Sequence, residues 1–328
     1  MKLNMSTRRA AAALTASLCL FATACGSDDS KNDAASGSQV KVSGAFGEKP
    51  EVEVDSDAKP ADEAVVQTVS EGKGEKVEKG DFIRLDFAGF TMKDGKELGG
   101  TWPAEGETEE EGTARRQLVQ QAGQPSRELP DPVMEAVLGQ KAGSRITVEG
   151  TAEAVVGEGL NPQAGIDPKD GLVWVIDVVG ADKVDAKAEV EGDQAKPADG
   201  MPEVKYNSKK AADITVPKGV KAPTKLKEQV LVKGSGDEVA AGDGLIVQYT
   251  GVKWEDGKKF DASWDHNGAT AFQIGTGSVV QGWDQGLVGK RVGDRVELVI
   301  PPKLAYGESG GELAENTLIF VVDIVGKV

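Results

Sequence analysis

The residues best placed to do chemistry gather between Leu245 and Trp283. That stretch holds Tyr249, Phe260, Asp261, Trp264, His266, Phe272, Val279, Val280 and Trp283, in a chain that is only 5% aromatic. Such a concentration of rings either fills a core or lines an apolar pocket, and the remaining residues narrow what a pocket could do. His266 is the sole histidine, so a Ser-His-Asp triad is not expected. The two cysteines, Cys19 and Cys25, both fall in the first 25 residues, which leaves the folded part without a cysteine nucleophile, a cysteine zinc site or a disulfide scaffold. Gly307 to Gly311 lacks the Lys-Ser/Thr that completes a phosphate-binding loop. No metal or cofactor is expected.

The elements that must position these residues read mostly as strand. Glu228 to Val232, Leu245 to Lys253, Ala271 to Ile274, Arg295 to Ile300 and Thr317 to Val325 alternate or are rich in β-branched residues, with Gly, Asp and Pro turns between them. Helical apolar spacing occurs once in this half, at Val279, Val280, Trp283 and Leu287. A single short helix must lay its apolar stripe on the sheet, which puts Trp283 at the centre of the domain.

The chain repeats itself. Val77 to Asp81 returns as Val239 to Asp243, and Lys93 to Trp102 returns as Glu255 to Trp264, at an offset of 162. Leu138-Gly139 and Gly143 return 150 residues later, and Leu172 to Asp177 returns 146 later as Leu318 to Asp323. Two copies of one domain follow, at 48–180 and 211–328, with 181–210 a charged, hydrated linker. Copy one carries insertions: the acidic run Glu105 to Glu111, the helix-like Thr113 to Gln121, and further residues between Gly157 and Leu172.

Copy two contains Tyr249-Thr250-Gly251, Asp256 to Ser263, Val279 to Trp283, Ile300 to Gly307 and Thr317 to Phe320 in that order. Over Leu226 to Val325 it closely resembles the FKBP-type peptidyl-prolyl cis-trans isomerases. The resemblance implies an α+β fold: two FKBP-like domains, each a half-wrapped antiparallel β-sheet around one short helix. It also implies a pocket with Asp261, Tyr306, Trp283 and Tyr249 as its catalytic groups and Phe260, Phe272, Val279, Val280, Phe320 and Leu313 as substrate contacts. Read without the motif, Tyr249, Phe272 and Trp283 are equally plain core, Asp261 a turn residue and His266 an exposed loop residue.

The residue types suit such a reaction. Rotation about an Xaa-Pro amide is slowed by a barrier of about 18–20 kcal/mol that comes from resonance. No bond breaks, so neither nucleophile nor metal is required. Water stabilises the charge-separated planar amide, and an apolar cleft therefore favours the twisted form. Trp283 would be the floor, Val279, Val280 and Phe320 the walls, and Tyr306 the donor to a substrate carbonyl, with Asp261 beside Tyr249 at the rim.

Thr270, aromatic in some members, is expected to loosen one wall, and the short loop Glu308 to Asn316 offers only Leu313 for pocket contact, so FK506-type macrolides should bind weakly. In copy one the matching positions are Phe87, Leu98, Gly99, Val133, Val156 and Trp174, which removes every polar group of the pocket. That copy is expected to keep the fold and lose the activity, serving as spacer, chaperone-like surface or partner dock.

Lys2, Arg8 and Arg9 precede the apolar run Ala10 to Phe21, so residues 1–24 read as a signal peptide. Cys25 follows Ala22-Thr23-Ala24 in a setting like a bacterial lipobox, and 25–47 reads as a disordered tether. The expectation is an exported protein held by a lipid on Cys25 at the outer face of the bacterial plasma membrane, with secretion as the alternative and Sec or Tat export undecided. The formal charge of −16 argues against nucleic acid. Expected partners are Xaa-Pro segments of exported proteins. A non-catalytic chaperone or docking lipoprotein is the rival reading, while a solute-binding lipoprotein lacks the helices for two α/β lobes.

Overall fold

Two runs of ten residues, Phe82–Thr91 and Gly244–Lys253, each become a strand that pairs with three others, and most of their side chains are buried on both faces. The computed structural model describes residues 40–104, 106, 113–160, 165–307 and 310–328. The signal segment, Cys25, the start of the tether and all of the acidic run except Gly106 lie outside the described residues.

In the first domain β1 (Val40–Ser43) and β2 (Glu51–Val54) form a hairpin. It precedes β3 (Val65–Ser70), β4 (Phe82–Thr91), β5 (Glu97–Gly100), β6 (Leu118–Gln121), β7 (Arg145–Thr151) and β8 (Gly171–Asp182), with α1 (Asp131–Ala136) and α2 (Ala152–Val156) between them. The second domain begins with the hairpin β9 (Glu203–Lys205) and β10 (Asp213–Thr215). It continues through β11 (Lys227–Val232), β12 (Gly244–Lys253), β13 (Lys259–Ala262), β14 (Thr270–Gln273), α3 (Gln281–Leu287), β15 (Arg295–Ile300) and β16 (Leu318–Lys327). The sheet orders correspond strand for strand: β3-β7-β8-β4-β5 with β6 on β4, and β11-β15-β16-β12-β13 with β14 on β12. Every pairing is antiparallel. The expected two like α+β domains are present, although the first has a second helix, α2, beside α1.

Inside each half-wrapped sheet sits a core: Ile83, Leu85, Val133 and Ile146 in one, Leu245, Val247, Trp283, Leu298 and Phe320 in the other. Helix α3 lies close on β15 because Gly282 and Gly286 face it, and a Cβ on Gly282 would stand 2.4 Å from the Ile300 side chain. Pro132 and Ala136 occupy those positions in α1, so that approach is closed to the first domain.

The other face of each sheet is also covered, and this corrects two expectations. Residues 40–47 are not tether: Val40 and Val42 pack with Val52 on Phe90, Trp102 and Val175. Nor is 181–210 a hydrated linker, since Met201 and Val204 are buried on Val252, Trp254, Leu231 and Val321. Packing onto the two sheets therefore begins near residues 40 and 186 rather than 48 and 211. Under each hairpin an Arg–Asp pair is sealed from water. Arg145 bonds Asp177 at 2.6 and 2.8 Å and the carbonyls of Gly44 and Glu48 at 2.9 and 2.7 Å. Arg295 bonds Asp323 at 2.6 Å through both Nε and Nη2 and the Val190 carbonyl at 2.8 Å, with the Tyr206 ring stacked 3.6 Å from it.

Thr113 to Gln121 is not helix either. Residues 118–121 form β6, held to β4 by its backbone. The domains meet where β6 faces β14: the Gln117 N–H donates to the Gln273 side chain at 2.8 Å, Gln273 donates to the Arg115 carbonyl at 3.0 Å, and Arg84 donates to the Gly242 carbonyl at 2.7 Å.

Because burying Met201 and Val204 is worth about 1.5–3 kcal/mol each, fragment 201–328 should unfold at higher denaturant than fragment 211–328. Equal midpoints would mean that the hairpin adds nothing. Glu297, fully buried on β15, has no partner for either carboxylate oxygen among the described residues, and burial pushes its pKa to about 8. Its unfolded counterpart ionises near 4.5, so stability falls as pH rises from there to about 8 and levels off above. Glu297→Gln should flatten that slope and raise stability at pH 8 by a few kcal/mol, on the order expected for a shift of this size, in urea titrations at several pH values.

Candidate functional site

The cleft on the inner side of the second sheet is built around one indole. Trp283 lies in the first turn of α3, its ring reaching Tyr249 of β12 and Phe320 of β16, and is 4% exposed. Phe320, Phe272 and Tyr249 surround it edge to face, with ring centroids at 5.3, 5.5 and 5.7 Å. In each contact one ring sets its positive edge against the other's negative face, the arrangement aromatic quadrupoles prefer. Phe260 stands against Phe320 at 5.4 Å and 88°. Gly251 lies beneath that pair, and a Cβ there would come within 2.6 Å of the Phe260 ring, so only glycine leaves room for it.

The walls come from the loop before α3. Asp284, in the first turn, accepts from the N–H groups of Gly275 and Gly277 at 2.6 and 2.9 Å, which holds Val279 and Val280 over the indole. The result is a cavity of about 500 Å³ lined by Tyr249, Phe260, Asp261, Phe272, Val279, Val280, Trp283, Tyr306 and Phe320. Nine of the ten predicted residues thus meet in one place. Leu313 does not line the cavity; it packs half-buried on the core. Thr270 also stands away from it, lining a separate hollow between the domains together with Val119, Gln120 and His266. Gly277, Ser278, Gln281 and Ala305 also line the cleft; Gln281 and Ala305 fall inside the motifs without being singled out as contacts, and Gly277 and Ser278 announce nothing beyond loop.

The polar groups collect at one rim. Tyr249 Oη donates to Asp261 Oδ2 at 2.6 Å, the Ala262 N–H donates to Oδ1 at 2.9 Å, and His266 Nε2 lies 2.7 Å from Oδ1. His266 is exposed as expected, but it is engaged with Asp261. Burial works to raise the Asp261 pKa, and the bonds from Tyr249 and His266 outweigh it, so the carboxyl is held below its ordinary value. Burial, then the bond to Asp261, pushes the Tyr249 phenol well up. Tyr306, 41% exposed, is raised by burial and by the charge on Asp261. At neutral pH the rim therefore presents a carboxylate and two protonated phenols.

Among its described residues the first domain has no such rim. Phe87 meets Trp174 at 6.1 Å, Gly99 stands where Asp261 would be, and Leu98 is exposed. Val155 and Ala152 of α2 join the core, with Val156, Leu160, Ile166 and Trp174 packed on it, so the inner face is occupied by the protein's own side chains.

A family model described as FKBP-type peptidyl-prolyl cis-trans isomerase matches residues 236–325. An FK506-binding protein of Streptomyces anulatus is 44% identical over 111 residues, which is 33% of this chain and 90% of that protein. A probable FK506-binding protein of Corynebacterium glutamicum is 38% identical over 106 residues, 32% of this chain and 88% of that protein. Among solved structures, FkpA from Escherichia coli is 38% identical over 34% of this chain and 52% of its own, with a TM-score of 0.30.

Removing the phenol that supports Asp261 tests the electrostatics of the rim. In Tyr249→Phe the Asp261 carboxyl should titrate at higher pH than in the parent chain, followed by carboxyl-carbon NMR. An unmoved titration would show that the Tyr249 bond does not hold the carboxylate.

Proposed function

We propose that this chain, which belongs to the FKBP-type peptidyl-prolyl cis-trans isomerases, turns over Xaa-Pro bonds in the cleft of its second domain and does so outside the cytoplasm. The observation that carries the reading is the pairing of an aromatic floor with a polar rim around Asp261 and Tyr306, in one domain and not in the other. A proline ring would lie on Trp283, excluding water from the amide. Loss of hydration weakens the charge-separated planar form and lowers the barrier to twisting. The protonated Tyr306 hydroxyl donates to a carbonyl of the bound chain. Asp261 already serves three donors, so it positions Tyr249 and sets a negative field at the rim rather than moving a proton.

The extracytoplasmic setting is supported by the basic start, the short apolar run and Cys25 after Ala22-Thr23-Ala24. In this reading a lipid on Cys25 holds the protein at the outer face of the plasma membrane, where newly exported chains are its clients. A mature mass that fits an acylated Cys25 N-terminus tests that part.

The activity is tested by cis/trans exchange of an Xaa-Pro peptide in NMR, with the full chain and three variants. Tyr306→Phe should slow exchange roughly 2- to 13-fold, the loss of one hydrogen bond of about 0.5–1.5 kcal/mol. Asp261→Ala should slow it at least as much, and Phe87→Ala in the first domain should leave it unchanged. Peptide binding without accelerated exchange would make the cleft a holder of proline segments instead.

A further inference from the structure

The internal repeat supplies a twin for a buried amide beside the cleft. Gln273 ends β14 one residue after Phe272, and Gln121 ends β6; each stands across from the first residue of the strand it pairs with, Gly244 of β12 and Phe82 of β4. Each side chain donates to the carbonyl of the turn glycine just before that strand, Gln273 to Gly242 at 3.1 Å and Gln121 to Gly80 at 2.8 Å. That bond is common to both copies and closes a turn. Gln273 does more. It is 2% exposed, its Nε2 also donates to the Arg115 carbonyl at 3.0 Å, and its Oε1 accepts from the Gln117 N–H at 2.8 Å and from the Thr276 hydroxyl at 3.3 Å. A carbonyl only accepts and an N–H only donates, so these partners fix which way the amide points. Two of the four bonds go to the first domain and two to the second.

On the first-domain side, residues 115–117 are themselves tied down. Arg115 donates to Asp86 through Nε at 3.1 Å and Nη2 at 2.7 Å, the Gln117 side chain donates to the same carboxylate at 2.7 Å, and Asp86 is buried on β4. On the other side the bonds run toward the cleft. The Thr276 hydroxyl gives its one hydrogen to Gln273, so Ser278, 2.9 Å away, donates to Thr276. Ser278 lines the cleft and leads directly into its walls, Val279 and Val280. In this loop Gly275 and Gly277 have φ of +77° and +72°, and glycine's wide conformational freedom leaves the path of the loop to the bonds made with it. Asp284 supplies two of these and Gln273 a third.

We propose that Gln273 is a positioning residue through which the first domain sets the wall of the cleft: residues 115–117 hold its amide, the amide holds Thr276, and Thr276 holds Ser278 and with it Val279 and Val280. Gln273 touches no substrate. It acts on the fraction of molecules whose wall stands ready for a proline ring, and apparent affinity falls with that fraction while bound substrate turns over at its usual rate. The inference rests on reading the second-domain cleft as the isomerase site, and it gives the first domain a part in that activity.

The test measures KM and kcat for cis/trans exchange of an Xaa-Pro peptide with the full chain, together with the peptide Kd by NMR titration and the amide signals of residues 275–280. Gln273→Leu should move those signals and raise KM and Kd roughly 2- to 13-fold, the range of one hydrogen bond, with kcat unchanged. Thr276→Val, which breaks the link inside the second domain, and Gln117→Ala, which loosens the segment in the first, should raise KM as well. Gln121→Leu loses the turn bond that both copies share and should keep the parental KM. A parental KM in Gln273→Leu would overturn the proposal, as would a parental KM in both Thr276→Val and Gln117→Ala should Gln273→Leu not fold. An equal rise in Gln121→Leu would also overturn it, because the effect would then be general destabilisation. So would a lower kcat at constant KM, which would place the effect on the twisted amide rather than on the wall. A parent chain that binds the peptide without accelerating exchange would refute the isomerase reading, and the Kd series would still decide the proposal: weaker binding by Gln273→Leu supports it, and parental binding overturns it.

Discussion

A guanidinium sealed inside a protein must have its donors satisfied on the spot, and this molecule meets that demand twice in the same way. Arg145 and Arg295 each form a two-pronged bond to an aspartate on the neighbouring strand, and each has donors left that the sheet cannot serve. The chain just before each sheet supplies the missing carbonyls, from Gly44 and Glu48 in one case and from Val190 in the other. Breaking such a pair leaves an uncompensated buried charge, at a cost of about 3–5 kcal/mol. The β1–β2 loop and the chain at Val190 are therefore part of the domains, and the hairpins β1–β2 and β9–β10 bury one face of each sheet. With that face closed in both copies, a cleft between helix and sheet can open only on the inner face.

On the inner face the two copies differ by what fills the space between helix and sheet. In the second domain Gly282 and Gly286 let α3 settle on β15, and one large indole reaches the middle without filling it. In the first, Val133 takes the place of Trp283, and the volume released is occupied by α2 and the residues after it. A hollow lined by rings persists only if it is held open from several sides. The edge-to-face contacts of Tyr249, Phe272 and Phe320 with Trp283 do this, and among its described residues the first domain retains one aromatic pair, Phe87 with Trp174.

Most of the cleft was legible because its residues are chemically distinctive and sit in motifs of fixed spacing: Asp261 next to Phe260, Val279 and Val280 ahead of Trp283, Tyr306 after a proline pair. The repeat was legible through turn glycines and aspartates. The hairpins were not, although the offset of 162 runs through them, with Val52 matching Ile214 and Val42 matching Val204. Strands of three and four residues among charged neighbours have too little periodicity to stand out, and their partners lie on a face of the sheet that composition does not reveal. The segment Thr113 to Gln121 failed for a related reason: its polar side chains suit an exposed helix, while its backbone is claimed by the edge of β4. Leu313 was apolar and near the cleft in sequence, but the core lay closer.

The segment between the domains ties the two halves of the argument together. The Gln248 side chain donates to the carbonyls of Ala186 and Ala188 at 2.8 and 3.1 Å, and its own oxygen accepts from Ser263 at 2.6 Å. Ser263 Oγ in turn accepts from the Tyr249 N–H at 3.0 Å. The Ala269 N–H donates to the Ala186 carbonyl at 2.8 Å, and at Gly268 a Cβ would come within 1.9 Å of that same oxygen. Residues 186–188 thus brace, from behind, the loop that presents His266 to Asp261 and the strand that presents Tyr249. A connection that merely spaced two domains would be free to change in length and path. This one is held by the hydrogen bonds of the candidate site's own supports, so the first domain is joined to the geometry of the cleft even though it contributes no residue to its lining.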